Sequence, residues 1–197
     1  MTERLGILGG TFDPPHVGHL LAAYAAREAL GLDQVVLIPA WRQPLKTGVP
    51  MTPGAHRLAM TRLLVGTDPR LAVDAIEIER EGLSLTVDTM RAYRAARPDT
   101  GLFLLMGEDT AATLSQWREP SALAGLVRIV VLSRGTSARE IGLPAGFVVE
   151  RVASRRVDVS ATDVRARVRA GLPIRGFVPD EVADYISAHQ LYRTTTE

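Results

Sequence analysis

Cysteine is absent from this chain, and its absence excludes thiol catalysis, disulfide bonds and cysteine-bound zinc. No apolar run approaches the roughly 18 residues that a membrane-spanning helix requires. The first residues, Met1 to Arg4, lack a signal-peptide pattern. We therefore expect a cytoplasmic protein that has no membrane partner.

The chain also lacks an excess of positive or negative charge, because its net charge is only +1 over 197 residues. Proteins that bind duplex nucleic acid usually carry an excess of basic residues, and this chain does not, so we expect no nucleic-acid partner. Lysine is nearly missing as well, since Lys46 is the only one and every other strongly basic side chain is arginine. Lys46 is either the remnant of an arginine-rich composition or a position that requires a compact, flexible ammonium group.

The residues that are present suffice for a folded core, since 46% of them are hydrophobic. The length suits a single domain over residues 1–197, and the sequence has no internal repeat, linker or low-complexity tract. The predicted strands are residues 5–8, 34–39, 71–79, 102–106, 128–133 and 147–152. The predicted helices are residues 19–30, 54–65, 84–97, 109–117, 121–126, 162–170 and 180–191.

The alternation of strands and helices predicts the fold class. Continuous apolar strands separated by helices are typical of a parallel sheet that is covered on both faces. We therefore expect an α/β, Rossmann-like, doubly wound and mainly parallel sheet with a helical C-terminal part. Ligands of such sheets bind beyond the carboxyl ends of the strands, so the loops that follow the strands should converge on one site.

Residues 9–20, Gly-Gly-Thr-Phe-Asp-Pro-Pro-His-Val-Gly-His-Leu, lie where the first predicted strand passes into the first predicted helix. Glycine at a strand end lets the backbone approach a ligand, and a helix start offers free amides and a positive dipole end to phosphate. His16 and His19 are one turn apart, so both rings can face the same side. Gly18 between them leaves room for a bulky anion. Together these features predict a nucleoside triphosphate site.

Other interpretations of this stretch have less support. Neither a Walker A loop nor a dinucleotide-binding Gly-x-Gly-x-x-Gly is present. A histidine at a helix start is often a cap or a core contact, and that is our interpretation of His56 and His189. His16 and His19 could bind a metal as a pair, but no third ligand stands out and zinc needs three or four.

Residues 9–20 resemble the signature of the His-x-Gly-His nucleotidyltransferases, which transfer a nucleotidyl group from a nucleoside triphosphate to a phosphate or similar acceptor. Later segments resemble one branch of them, the bacterial nicotinate-nucleotide adenylyltransferases. These segments are Gly-Leu-Ser-Leu-Thr-Val-Asp-Thr-Met at 82–90, Met-Gly-Glu-Asp at 106–109, Leu-Ser-Gln-Trp at 114–117, Val-Ser-Ala-Thr-Asp-Val-Arg at 159–165 and residues 178–192. The likeness spans nearly the whole chain in order. Departures from the family's pattern occur at Leu45, Leu85, Glu108 and Ala161.

The resemblance implies adenylyl transfer from ATP to nicotinate mononucleotide, which gives deamido-NAD and pyrophosphate in NAD biosynthesis. The acceptor phosphate is largely ionised near neutrality, since its second pKa is about 6, so its attack on ATP needs no general base. Mg²⁺ is expected with ATP, bound mainly through phosphate oxygens and water and with no dedicated metal residue. A homo-oligomer is compatible with the sequence.

The resemblance also implies roles for individual residues. Catalytic stabilisation of charge would fall to His16, His19, Lys46 and Arg165. ATP would be bound by Gly9, Gly10, Thr11, Phe12, Gly18, Gly107, Asp109, Arg134, Ser160 and Thr162. The mononucleotide would be bound by Thr86, Trp117 and Arg118. Trp117 would stack on the pyridine ring, while Thr86 and the Arg118 amide would receive the nicotinate carboxylate.

Several of these positions have a second interpretation. Ser160 and Asp163 have the spacing of a capping box, which is compatible with phosphate binding at the same helix start. Asp109 could merely cap its helix, and Trp117 could belong to the core. The alternative functions are another adenylyl- or cytidylyltransferase of the same fold, with nicotinamide mononucleotide or phosphopantetheine as acceptor, or a nucleotide sensor without turnover.

Overall fold

The computed structural model describes residues 2–46, 51–133, 146–155 and 157–193, with the main chain alone at Lys46. The strands are β1 (Arg4–Gly10), β2 (Gln34–Pro39), β3 (Leu71–Val73), β4 (Gly101–Gly107), β5 (Arg128–Ser133) and β6 (Val149–Ala153). The α-helices are α1 (Val17–Leu30), α2 (Gly54–Val65), α3 (Ile76–Arg80), α4 (Thr86–Ala96), α5 (Glu108–Ala111), α6 (Pro120–Leu126), α7 (Ala161–Arg169) and α8 (Asp180–Ala188). Short 3₁₀ turns occupy Pro44–Lys46 and Leu114–Gln116. Within the described ranges, no helix is both long enough and apolar enough to cross a membrane.

The six strands form one parallel sheet in the order β3-β2-β1-β4-β5-β6. Leu8 of β1 lies opposite Leu37 of β2 on one side and Leu105 of β4 on the other. The chain therefore winds outward from β1 in one direction and then, from β4, in the other. A crevice opens where the direction reverses, between the carboxyl ends of β1 and β4, and this is where such sheets bind ligands.

The core consists of two buried clusters, one on each face of the sheet. Alternate strand residues point to opposite faces, so Leu37 and Leu105 join one cluster while Val36 and Leu104 join the other. The first cluster packs against residues of α1, α2, α7 and α8, and the second against residues of α4 and α6. The predicted doubly wound α/β fold with helices on both faces is therefore confirmed.

The prediction of one strand over residues 71–79 is wrong beyond Val73. Asp74 donates the last sheet hydrogen bond, from its N–H to the Leu37 carbonyl at 3.1 Å. Its side chain then accepts from the N–H of Ile76 at 2.9 Å, which turns the chain into α3. Aspartate favours such local side-chain bonds, and these compete with strand pairing.

Two predicted helices end several residues earlier than expected. The predicted helix over residues 109–117 divides into α5 and the 3₁₀ turn Leu114–Gln116. The hydroxyl of Thr113 donates to the Thr110 carbonyl at 2.7 Å and interrupts the helix there. The predicted helix over 180–191 ends at Ala188, and Gln190 then takes a positive φ of 52°.

Candidate active site

A cavity of about 1140 Å³ lies beyond the carboxyl ends of the central strands. Every predicted site residue that the structure describes in full lines this cavity. These residues are Gly9, Gly10, Thr11, Phe12, His16, Gly18, His19, Thr86, Gly107, Asp109, Trp117, Arg118, Ser160, Thr162 and Arg165. They come from five separate loops and helix starts, so the fold brings together what the sequence disperses.

Two histidines form the start of α1. His16 is the residue before the first turn and is only 6% exposed, and its ring centroid lies 3.8 Å from that of His19. The backbone N–H of His16 donates to Nδ1 of His19 at 3.1 Å. A ring nitrogen that accepts a hydrogen bond carries no proton, so neutral His19 holds its proton at Nε2. His19 is therefore oriented as a donor through Nε2.

Gly18 packs closely against the His16 ring. A Cβ atom at Gly18 would lie 3.0 Å from both Cε1 and Nδ1 of His16, closer than such contacts normally allow. The space that this glycine provides is thus used by an imidazole of the chain itself. Phe12 has a φ of 50° and is 2% exposed. Its ring contacts the His19 ring edge-on, with 4.9 Å between the two ring centroids.

The start of α7 meets the start of α1. The carbonyl of Val159 lies 3.8 Å from the Cβ position of Gly18. The Ser160 hydroxyl accepts from the Asp163 N–H at 3.1 Å, so the predicted cap is present. Arg165 donates to the Asp13 carbonyl at 2.6 Å and to the Thr162 hydroxyl at 3.2 Å. We call residues 16–19 and 160–165 together the cradle.

Asp13 ties the cradle to the C-terminal part of the chain. It is 6% exposed; one carboxylate oxygen accepts from the Tyr192 hydroxyl at 2.7 Å, and the other accepts from the Thr52 N–H at 3.1 Å. Burial, followed by the charge of Asp13, raises the pKa of Tyr192. Neither contact has a local sequence signal, because 39 and 179 positions separate the partners.

Arg57 is a buried cation that sequence reasoning did not select. Its side chain is 1% exposed, although arginine is almost never fully buried without partners. Burial lowers its pKa, and the charge of Asp13 opposes that effect. The guanidinium donates to the carbonyls of Thr11 at 2.8 Å, Ala40 at 2.5 Å, Trp41 at 3.1 Å and, through Nε, Thr52 at 2.8 Å.

A second surface of the cavity is built around α4, and we call it the α4 wall. It comprises Glu77, Thr86, Thr89, Trp117 and Arg118. Thr86 is the first residue of α4, and no side chain in the described part of the chain caps that helix start. Trp117 is partly buried, packs against the second core cluster and donates from Nε1 to the Thr113 hydroxyl at 3.0 Å. It therefore combines a core contact with a face on the cavity.

Buried hydrogen bonds between side chains stabilise the α4 wall. Glu77, 8% exposed, accepts from the Thr89 hydroxyl at 2.7 Å, and Arg80 donates to that same hydroxyl oxygen at 3.0 Å. The Tyr93 hydroxyl donates to Asp74 at 2.5 Å, and burial raises the pKa of Tyr93. Sequence reasoning missed Glu77 because it placed this residue in a strand.

The structure tests the alternative role of Asp109 as a helix cap, but it does not describe the side chains of Lys46 and Arg134. Asp109 lies in the first turn of α5, whereas Gly107 is the cap position, so Asp109 is not the cap of that helix. Lys46 ends a 3₁₀ turn whose other residues, Pro44 and Leu45, line the cavity, but its side chain is not described. Arg134 lies outside the described residues.

Comparison with known proteins agrees with this geometry. Residues 7–167 match the model of the cytidylyltransferase-like family. A protein of Gemmatimonas aurantiaca named "Probable nicotinate-nucleotide adenylyltransferase" is 50% identical over 96% of this chain and 92% of its own length. A protein of the same name from Herpetosiphon aurantiacus is 42% identical over 96% of this chain and 98% of its own length. The chain belongs to the nicotinate-nucleotide adenylyltransferase family.

A solved structure extends the comparison to the fold. The nicotinic acid mononucleotide adenylyltransferase of Plasmodium falciparum, complexed with NaAD, superposes with a TM-score of 0.80 over 96% of this chain and 97% of that one. At 16% sequence identity, this likeness concerns the fold alone. Glu108, one of the departures from the adenylyltransferase pattern, has the Arg151 guanidinium 3.8 Å from its carboxylate.

Proposed function

We propose that this protein transfers the adenylyl group of ATP to nicotinate mononucleotide, giving deamido-NAD and pyrophosphate in NAD biosynthesis. The observation that carries the proposal is the meeting of the cradle and the α4 wall across one cavity. The cradle offers helix starts, imidazoles and a guanidinium, all suited to a polyphosphate. The α4 wall offers an uncapped helix start beside an aromatic ring, which suits a planar anion.

The chain's own part in the reaction is to position two anions and stabilise charge. The acceptor phosphate attacks the α-phosphorus of ATP, a new P–O bond forms, and the bond to the departing pyrophosphate breaks. The acceptor is already ionised near neutrality, so no side chain has to remove a proton. His16, His19 and Arg165 would hold the ATP phosphates and stabilise the transition state through N–H donors. Ser160 and Thr162 would add contacts at the start of α7.

Adenosine and the mononucleotide would occupy opposite ends of the cavity. Gly9 and Gly107 leave open backbone in the cavity, because a Cβ atom at either position would meet none of the described residues within 4 Å. We assign them, with Gly10, Thr11, Phe12, Gly18 and Asp109, to ATP. Thr86 and the Arg118 amide would take the nicotinate carboxylate, and Trp117 would stack on the pyridine ring. Donors arranged for a carboxylate would disfavour nicotinamide mononucleotide.

Mg²⁺ would accompany the triphosphate. The groups of the cradle are N–H and hydroxyl donors and cations, which suit phosphate oxygens, so the ion would be held mainly by those oxygens and water. Its chemistry would be the neutralisation of charge on the phosphates. Lys46 and Arg134 complete the proposed phosphate contacts, and neither side chain is among those that the structure describes.

Broader expectations accompany this function. We propose that residues 1–197 form a single nucleotidyltransferase domain and that the protein works in the cytoplasm. We expect small-molecule substrates and no nucleic-acid partner, given a net charge of +1. A homo-oligomer is compatible with the sequence.

The proposed function is tested with a panel of acceptors. Purified protein with ATP and Mg²⁺ is given nicotinate mononucleotide, nicotinamide mononucleotide or phosphopantetheine, and CTP replaces ATP in a parallel set. Pyrophosphate release is measured and the products are identified by mass. The expected result is fastest turnover with ATP and nicotinate mononucleotide. No pyrophosphate from that pair would reject the proposal, and tight ATP binding without any product would favour the sensor.

A further inference from the structure

We propose that Arg57 is a positioning residue that fixes the cradle relative to the α4 wall, so that the two substrates meet in reactive geometry. This inference rests on the proposed function. It concerns a residue that contacts neither substrate directly, because Arg57 is not among the residues that line the cavity. Its effect must therefore pass through the loops to which it is bonded.

The guanidinium joins the connection between β1 and α1 to both ends of the connection between β2 and α2. It reaches the Thr11 carbonyl in the loop that leads into α1, the carbonyls of Ala40 and Trp41 just after β2, and the Thr52 carbonyl just before α2. All four bonds lie between 2.5 and 3.1 Å. One planar group thus sets the distance from the cradle's own loop to the loop after the neighbouring strand.

The loop after β2 continues this connection to the α4 wall. The N–H of Trp41 donates to the Ser84 hydroxyl at 2.8 Å, and the N–H of Ser84 donates to the Arg42 carbonyl at 2.9 Å. Ser84 is 8% exposed and lies two positions before Thr86, at which α4 begins. The bonded path therefore runs from Thr11 through Arg57 and Trp41 to the start of α4.

A second branch joins Arg57 to the cradle. Thr52 accepts from Arg57 through its carbonyl and donates through its N–H to Asp13, whose own carbonyl accepts from Arg165. The carboxylate of Asp13 is the buried negative charge that opposes the effect of burial on Arg57. Asp13 thus offsets part of the effect of burial on the cation, and the contacts of Arg57 converge on the loops that lead to the cradle.

Arginine suits this position and lysine does not. A guanidinium presents five N–H donors in a rigid plane, which can reach carbonyls in several directions at once. An ammonium group presents three donors around one point, so Arg57→Lys would keep the buried charge but lose the span between loops. The expected defect is a small displacement of one substrate relative to the other.

Such a displacement has a kinetic signature. Each substrate still reaches its own binding groups, so the KM values for ATP and for the acceptor should change by less than about threefold. The value of kcat should fall about 10- to 100-fold, because a misplacement of the reacting groups by about 1 Å can lower the rate that much. A merely structural role would lower the melting temperature and leave kcat per folded molecule unchanged.

The experiment compares wild type, Arg57→Lys and the matched control Arg62→Lys. Arg62 lies on the same helix, α2, and is exposed. The folded fraction of each protein is measured by circular dichroism at the assay temperature. Kinetic constants are then measured with whichever acceptor the wild type uses, and ATP binding is measured by calorimetry. We expect a loss of kcat in Arg57→Lys alone.

Each outcome bears on the inference. A kcat per folded Arg57→Lys molecule within about twofold of wild type would overturn it, as would a defect confined to KM. If Arg57→Lys does not fold, Ser84→Ala breaks the next bond of the same path and must lower kcat about 3- to 10-fold, and an unchanged kcat there would overturn the inference. An inactive wild type instead rejects the proposed function, so the two failures are distinguishable.

Discussion

The cradle and the α4 wall face the same cavity but are built in different ways. The cradle is held by backbone groups and rings in close contact, since the His16 and His19 ring centroids are 3.8 Å apart and a Cβ atom placed on Gly18 would lie only 3.0 Å from the His16 ring. The α4 wall is held by side-chain hydrogen bonds, including those from Thr89 to Glu77 and from Trp117 to Thr113. Few substitutions can alter contacts made by the backbone, whereas contacts made by side chains can be altered by substituting one residue at a time.

This difference suggests a division of labour. In the proposed function, the chemical step would depend on the cradle, where an added carbon atom would disturb the His16 ring. The choice of acceptor would depend on the α4 wall, where a changed side chain alters one contact. Substitutions in the cradle should therefore affect kcat, and substitutions in the wall should affect the KM of the acceptor.

The largest expected effect is that of His19→Ala in the cradle. The change removes the Nε2 donor, and the loss of one such donor typically lowers kcat about 10²- to 10³-fold. Pyrophosphate release at saturating substrates measures it. His189→Ala, which removes an exposed histidine stacked on Tyr185 at 4.2 Å, is the control and should retain wild-type turnover. Near-normal turnover of His19→Ala would remove this residue from the mechanism.

A smaller loss is expected from Gly18→Ala, which tests the cradle without removing any polar group. The added methyl group would lie 3.0 Å from the His16 ring and displace it, so kcat should fall about 10- to 100-fold. Gly125→Ala is the matched control, because a Cβ atom there meets none of the residues that the structure describes within 4 Å. If both variants keep wild-type kcat, the close packing of the cradle is not needed for turnover.

Trp117→Ala tests the α4 wall. Loss of ring stacking, which contributes about 1–3 kcal/mol per base in nucleic-acid sites, should raise the KM for the mononucleotide about tenfold. The KM for ATP should stay within about twofold, and Trp117→Phe should recover most of the affinity because it retains an aromatic face. Steady-state kinetics with each substrate varied in turn gives both constants. A defect confined to ATP would reject the stacking role.

The smallest effect is expected from Tyr192→Phe, behind the cradle. The variant loses the bond to Asp13, which should cost about 1 kcal/mol in the free energy of unfolding at pH 7. Burial raises the pKa of Tyr192, so the unfolded chain ionises from about pH 10 while the folded chain keeps its proton. The contribution of Tyr192 is therefore complete below about pH 10 and declines above it.

Urea unfolding of both proteins at pH 7 and pH 11 measures this difference. The stability advantage of wild type over Tyr192→Phe should shrink at the higher pH. Tyr93, whose pKa is raised in the same direction, is present in both proteins and so cancels in the comparison. A constant or growing advantage would show that the hydroxyl of Tyr192 does not resist ionisation in the folded state.

Much of the cradle could be predicted from the sequence because its residues are close along the chain. Residues 9–20 contain a strand end, a glycine turn and a helix start, each with a local signal, and the structure places them as expected. Ser160 and Asp163 likewise form the cap that their spacing predicts. The roles of these residues in binding ATP stay predictions.

The errors fall where a side chain overrides a local pattern. Residues 71–79 are apolar enough to suggest a strand, yet the carboxylate of Asp74 bonds to the Ile76 N–H and ends β3. The hydroxyl of Thr113 similarly divides a predicted helix. Hydrophobic periodicity indicates which face of an element is apolar, but it does not indicate where a polar side chain will hydrogen-bond to the backbone and end that element.

The sequence by itself determined the doubly wound α/β fold, the strand end, glycine turn and helix start within residues 9–20, and the convergence of the loops that follow the strands. Only the tertiary structure decided what lies behind those loops. The bonds of Arg57 to Thr11 and of Tyr192 to Asp13 join residues 46 and 179 positions apart. Such pairs form because a buried polar group must find a partner, and the chain supplies that partner only once it has folded.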